Sequence, residues 1–148
     1  MGYSMSHSPD PLSKGHACIV TDNLERLRRN WKEFLGIDLT PTFVLDGPAV
    51  VRGEDRGECK ALVAFADIGD LRVEFIQPVE GGTQEWEFIK KTPNGLHHID
   101  PILPSRNTLE EHVKEWENRG IKVLQIDKKN RWAYMDTQDI LGTIIELH

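Results

Sequence analysis

Two cysteines, Cys18 and Cys59, are too few for a disulfide framework, and they stand too far apart for a zinc knuckle or a redox pair. Both are expected to be reduced thiols. No apolar run approaches the roughly 20 residues needed to span a bilayer, and the first residues lack the charged and then apolar plan of a secretion signal. Basic charge is also short. The 18 Lys and Arg stand against 24 Asp and Glu, a formal net charge of −6, with no basic stripe or polybasic segment. That balance argues against nucleic acid and membrane surfaces as partners. The expectation is a soluble, cytoplasmic protein acting on a small molecule.

What is present suffices for one domain: 148 residues can bury most of the apolar surface an unfolded chain would expose. Residues 1–13, rich in Ser, Pro and Gly, read as a flexible lead-in, which leaves a domain over 14–148. His16 to Val20 is a short apolar stretch bounded by Gly15 and Asp22, and predicts a strand. A helix follows: Asp22 with Glu25 resembles a capping box, Leu24, Leu27, Trp31, Phe34 and Leu35 recur at helical spacing, and Gly36 supplies the stop. Three extended stretches come next, at about 39–45, 60–67 and 71–77, the last two joined by a tight turn at Gly69-Asp70. Leu96 to Leu103 then begins the same order again. A helix opened by Asn107 with Glu110 carries Leu109, Val113 and Trp116, closes at Gly120, and leads to strands at 121–126, 131–135 and 143–147. The plan βαβββ therefore occurs twice, as module 1 over about 14–80 and module 2 over about 95–148, with a linker over about 81–94.

A repeat lets one half inform the other. His16 opens the first strand of module 1, and the pair His97-His98 lies in the first strand of module 2. Glu74 stands in the apolar last strand of module 1, and Glu146 in that of module 2. Taken singly, a strand glutamate is commonly solvent-facing or salt-bridged, and a histidine at a strand start is commonly structural. Four equivalent placements point elsewhere. A carboxylate inside an apolar strand is costly to bury unless its charge is compensated. Two imidazoles and two carboxylates converging on one point form a coordination set for one divalent ion, Zn²⁺, Ni²⁺, Co²⁺ or Mn²⁺, with positions left for water or substrate.

Four stretches carry a family resemblance: Gly15-His16-Ala17-Cys18-Ile19-Val20, Val73-Glu74-Phe75-Ile76-Gln77-Pro78, Gly95-Leu96-His97-His98-Ile99 and Gly142-Thr143-Ile144-Ile145-Glu146-Leu147. Together they resemble the vicinal oxygen chelate superfamily, which includes glyoxalase I, methylmalonyl-CoA epimerase, extradiol dioxygenases and antibiotic-resistance proteins. The third stretch, with Trp86-Glu87-Phe88-Ile89 before it, is similar to the epimerase-like branch. The resemblance implies an α+β fold in which two βαβββ modules form a curled mixed sheet, an open cup around a metal. It implies His16, Glu74, His98 and Glu146 as ligands, with His98 matching the family position and His97 turned to the opposite face of the strand. It also implies a homodimer. Departures exist: Asp100-Pro101 interrupts the fifth strand where relatives continue it. No early-strand partner base is matched either, because Glu54 and Glu58 lie in a polar stretch that reads as a solvated hairpin loop.

Residues two positions from a ligand share its face. Cys18, Arg72 and Asp100 are thereby candidates for the substrate side: Arg72 to grip a carboxylate, and Asp100 either to move a proton or to cap the bend before Pro101. Trp132 and Tyr134 alternate on one face and are expected to pack against the helices. The chemistry implied is proton transfer next to a carbonyl, with the metal as Lewis acid and Glu146, then Glu74, as the base. A glyoxalase I-type lyase and a non-catalytic small-molecule binding protein are the competing expectations.

Overall fold

Both module helices begin and end where local chemistry demands. In the computed structural model, which describes residues 15–103 and 108–148, α1 (Leu24–Asn30) is capped by Asn23, whose side chain accepts from the Arg26 N–H. The cap is thus Asn23 and not Asp22, one residue later than the capping-box pattern predicts. The helix runs on as a π turn over Trp31–Leu35 and stops at Gly36, whose φ of 68° lies in the left-handed region. That π turn changes the angular spacing of the apolar residues. Leu24, Leu27 and Trp31 pack on the sheet, whereas Phe34 and Leu35 are left exposed. In module 2, α3 (Leu109–Asn118) is capped by Thr108, whose hydroxyl accepts from the Glu111 N–H and lies 3.2 Å from Glu111 Oε1. The lead-in and the Asn107 cap lie outside the described residues.

Eight strands form one curled mixed sheet: β1 (His16–Thr21), β2 (Phe43–Val51), β3 (Glu54–Ile68), β4 (Leu71–Glu80), β5 (Asn94–Asp100), β6 (Val123–Asp127), β7 (Ala133–Met135) and β8 (Ile144–Leu147). Their order is β1-β4-β3-β2-β6-β7-β8-β5, closed by the antiparallel pairing of β1 with β5. At the other junction β2 meets β6 through Ala49↔Asp127, Val50↔Ile126 and Val51↔Gln125, so the expected cup is drawn together into a barrel. The polar stretch 52–60, expected as a loop, is instead the turn and first part of a long hairpin, with Glu54 and Glu58 exposed on β3. Between the modules, residues 81–94 carry an additional helix, α2 (Gln84–Lys91). A short helix, α4 (Gln138–Leu141), precedes β8. No helix among the described residues is long and apolar enough to cross a membrane.

Strand alternation divides the core. Outside the barrel, α1 covers Ala64, Ala66, Val73 and Phe75, and α3 covers Ala133, Met135, Ile145 and Leu147. Inside, Cys18, Val20, Val63, Phe65 and Ile76 pack from module 1, and Leu124, Tyr134 and Ile144 from module 2. Trp132 and Tyr134 are therefore placed opposite to expectation. Small Ala133 and Met135 take the helix-facing positions where α3 approaches the sheet, and the large rings fill the barrel interior.

Candidate metal centre

His16 on β1, Glu74 on β4, His98 on β5 and Glu146 on β8 each offer an atom to one buried point, and these four atoms all lie within 4.8 Å of one another. Register explains the convergence. Cys18 of β1 is paired with Glu74 on one side and with His98 on the other, and β5 continues to β8 through His98↔Ile144. His16 Nε2 is 3.1 Å from Glu74 Oε1 and 3.5 Å from Glu146 Oε1. His98 Nε2 is 3.4 Å and 2.9 Å from the same two oxygens. All four residues are buried, yet His16 Nε2, His98 Nε2 and Glu74 Oε1 make no well-oriented hydrogen bond among the described residues. Close approach without directed hydrogen bonding, from two nitrogen and two oxygen donors, is the arrangement that fits a divalent cation.

Electrostatics in the metal-free chain point the same way. Burial alone pushes the His16 and His98 imidazoles down, but Glu146 and Glu74 beside them outweigh it and raise them to about 10 and about 9. Glu74 and Glu146 are pushed up by burial and pulled further down by the two imidazoles, ending below the usual carboxylate range. The quartet balances two positive charges with two negative ones where a cation would replace two protons.

The adjacent histidine does not simply flip away. Pairing steps from Cys18↔His98 to Ile19↔Leu96, so His97 is the extra residue of a β-bulge. Its ring stays beside His98, with Nδ1 2.8 Å from His98 Nδ1 and Nε2 against Gln84 Oε1. Burial and the neighbouring His98 hold its imidazole well below the usual value, so it is neutral.

Asp100 stands behind the quartet. Its Oδ1 accepts from the Ile102 N–H, which supports the bend just after the strand ends, while Oδ2 lies 3.8 Å from His16 Nδ1 and 2.5 Å from His148 Nε2. Arg72 faces inward as alternation predicts, but its fork is closed on Asp67 at 2.8 Å and 3.0 Å, with its guanidinium carbon 5.2 Å from the Phe65 ring centre. Cys18 packs among Val20, Val63, Phe65 and Ile76, and burial together with Glu74 pushes its thiol far up, so it remains protonated. Neither Arg72 nor Cys18 is a wall of the cavity at the quartet.

That cavity, of about 110 Å³, is bounded by Phe43, Phe65, Trp132 and Tyr134, with Glu74 and Glu146 at its polar end. Phe43 stacks on Phe65 with ring centres 6.0 Å apart, and Trp132 lies tilted against Tyr134 at 4.8 Å, so aromatic rings flank the two carboxylates. Tyr134 lies 4.6 Å, centre to centre, from the His98 ring. Sequence reasoning missed Glu85, a buried carboxyl on α2 that burial raises and that Tyr134 and Thr83 partly draw back down. Its signal was there: Glu85 precedes Phe88 and Ile89 by three and four residues, the spacing of one helical face, and those two pack into the barrel interior.

Comparison with known proteins agrees with this architecture. Residues 15–135 match the Glyoxalase/Bleomycin resistance protein/Dioxygenase superfamily. A protein of Bacillus subtilis (strain 168), named uncharacterized protein YqjC, is 26% identical over 106 residues, covering 68% of this chain and 74% of that protein. Among solved structures, methylmalonyl-CoA epimerase from Mycobacterium tuberculosis is similar with a TM-score of 0.62 and 14% identity, covering 89% of this chain and 83% of that one. A Streptomyces coelicolor methylmalonyl-CoA epimerase gives a TM-score of 0.60 at 17% identity, covering 89% and 90%. The match of the family model over most of the chain, on a doubled βαβββ sheet with a buried His/Glu quartet, establishes that this chain belongs to the Glyoxalase/Bleomycin resistance protein/Dioxygenase superfamily.

Proposed function

We propose that this chain is a metal-dependent enzyme that moves a proton next to a carbonyl, in the manner of an epimerase or isomerase, on a small acid, ester or thioester. The observation that carries the reading is the convergence of His16, Glu74, His98 and Glu146 on one buried point at the end of an apolar cavity. The likeness in fold to methylmalonyl-CoA epimerases supports it. His16, Glu74, His98 and Glu146 would hold one divalent ion, Zn²⁺, Ni²⁺, Co²⁺ or Mn²⁺. When bound, such an ion supplies a Lewis acid that stabilises negative charge on a substrate oxygen by several kcal/mol.

The protein's own groups supply the rest. Glu146 and Glu74 line the cavity, and as carboxylates each can accept a proton from the substrate carbon and return it. Glu146 is assigned as the principal base and Glu74 as the second. The aromatic walls Phe65, Trp132 and Tyr134 give the reacting face an apolar lining that limits access of bulk water. A homodimer in the cytoplasm completes the reading.

The test is exchange of a carbon-bound proton in deuterated water, followed by proton NMR with metal-loaded protein and a panel of 2-oxo acids, 2-methyl acids and their thioesters. Exchange with at least one member, lost in a Glu146→Gln variant whose circular dichroism is unchanged, is the expected result. Absence of exchange across the panel, with metal shown to be bound, contradicts the reading.

A further inference from the structure

A second cavity, of about 40 Å³, adjoins the metal-facing one and shares Leu45, Ile76, Arg131, Trp132 and Tyr134 with it as walls. Its remaining wall includes Thr83, Glu85 and Gln125, the first two at the start of α2 and the third on β6. Three polar atoms of this wall are buried with no hydrogen-bond partner among the described residues: Thr83 Oγ1, Gln125 Nε2 and Trp132 Nε1.

Flipping the amide does not relieve Gln125. Its Oε1 accepts a 2.7 Å hydrogen bond from the backbone N–H of Gln84, which fixes the oxygen there and leaves the NH₂ on the other side. Gln125 is 1% exposed, so solvent does not satisfy it. A buried donor left unpaired costs about 1–3 kcal/mol, and two donors around one small space call for an acceptor inside it.

Charge decides what kind of acceptor. The Arg131 guanidinium is engaged by Asp127 through Nε and Nη2, at 2.7 Å and 3.1 Å, and by the Asp46 carbonyl at 2.8 Å. The wall holds three carboxyl groups, Asp46, Glu85 and Asp127, against two cations, Lys60 and Arg131. Both unpaired donors are neutral. A further anion would meet the Asp127 carboxylate and the buried Glu85 carboxyl with the Arg131 cation already engaged, whereas a carbonyl oxygen would meet donors and add no charge.

We propose that this second cavity is a subsite for the far end of the substrate, where Gln125 Nε2 and Trp132 Nε1 hold an uncharged carbonyl or amide oxygen. The inference rests on the metal-site reading above and deepens it. It makes the substrate bifunctional: oxygens for the metal at one end, an apolar middle against Phe65 and Tyr134, and a neutral acceptor beyond. The volume admits one small polar group or one ordered water, so the two occupants are distinguished by binding.

Hydroxamates, which chelate divalent metals through two oxygens, serve as probes. Zinc-loaded protein would be titrated calorimetrically with hydroxamates whose chains of one to four carbons end in a primary amide, a methyl group or a carboxylate. At one chain length the amide should bind at least about tenfold more tightly than the methyl compound. Trp132→Phe should reduce that preference several-fold, and Trp132→Phe with Gln125→Glu should abolish it, the preference being the ratio of amide to methyl affinity within each variant. Equal binding of amide and methyl tails at every length overturns the subsite and assigns the cavity to ordered water. Tightest binding of the carboxylate overturns its uncharged character. Zinc content is measured on the same samples: zinc bound without tail preference removes the subsite alone, and failure to bind zinc removes the proposed function together with it.

Discussion

At the scale of single residues, the quartet is a set of charges that must be resolved somehow. In the metal-free chain His16 and His98, raised to about 10 and about 9, carry the protons that balance Glu74 and Glu146. A cation at this point would displace those protons. Because the shift is upward, protons compete with the metal throughout the neutral range, and that competition fades as pH rises towards about 9 and 10. Metal affinity is therefore predicted to strengthen with pH, by up to about a hundredfold per unit where two protons are displaced. Calorimetry at neutral pH in buffers of different protonation enthalpy should report close to two protons released per ion; less than one contradicts the assignment. The same raised values stabilise the metal-free fold. That contribution is full below about 6.5 and is lost as pH rises through about 9 to 10, so chelator-treated protein should unfold in less urea at high pH than at neutral pH.

Asp100 belongs to the same scale. The Asp100 carboxyl lies 3.8 Å from His16 Nδ1, the ring nitrogen that the quartet does not use, and a small approach would let it hydrogen-bond that nitrogen and orient the imidazole. Asp100→Asn is predicted to weaken metal binding by about 10- to 100-fold, measured by competition with a chelator of known affinity. Unchanged affinity would assign Asp100 to the Ile102 bend alone.

Among the elements, the order of strands and helices could be read from the sequence because each has a local cause: capping side chains, Gly36 and Gly120 as stops, and apolar residues at a definite period. The convergence of His16, Glu74, His98 and Glu146 could be read because the repeat and the family resemblance place them without any knowledge of packing. What escaped depends on tertiary context. The π turn at Trp31–Leu35 is a change of pitch that the spacing of five apolar residues does not announce. The bulge that keeps His97 beside His98 breaks the alternation on which its placement was argued. Trp132 and Tyr134 share one face of their strand, but period-two alternation leaves open which face that is, and the fold turns it into the barrel. The turn from β4 into α2 shows how tightly such contacts are drawn. Gly81 has φ of 93°, and a Cβ there would lie 2.6 Å from Cys59 Sγ and 2.9 Å from backbone atoms of Glu58 and Cys59. Gly81→Ala is predicted to destabilise the fold by at least about 1–3 kcal/mol, seen as a lower urea midpoint with an unchanged slope.

For the whole molecule, barrel closure gathers four strands around one charged point: β1 pairs with both β4 and β5, and β5 with β8. Each member of the quartet comes from a different strand, so an ion bound there would tie both modules together, and its binding free energy would add to folding stability. At a thousandfold excess over Kd the gain is about 4 kcal/mol, which for a domain of this length corresponds to a rise in Tm of roughly 8–16 °C. Calorimetric titration of chelator-treated protein with Zn²⁺ tests the metal site most directly, on the native chain and on His98→Ala and Glu146→Gln variants that retain native circular dichroism. One ion per chain, with affinity lost or strongly reduced in both variants, is the predicted result. No binding by the native chain, or binding that both variants retain undiminished, would contradict it.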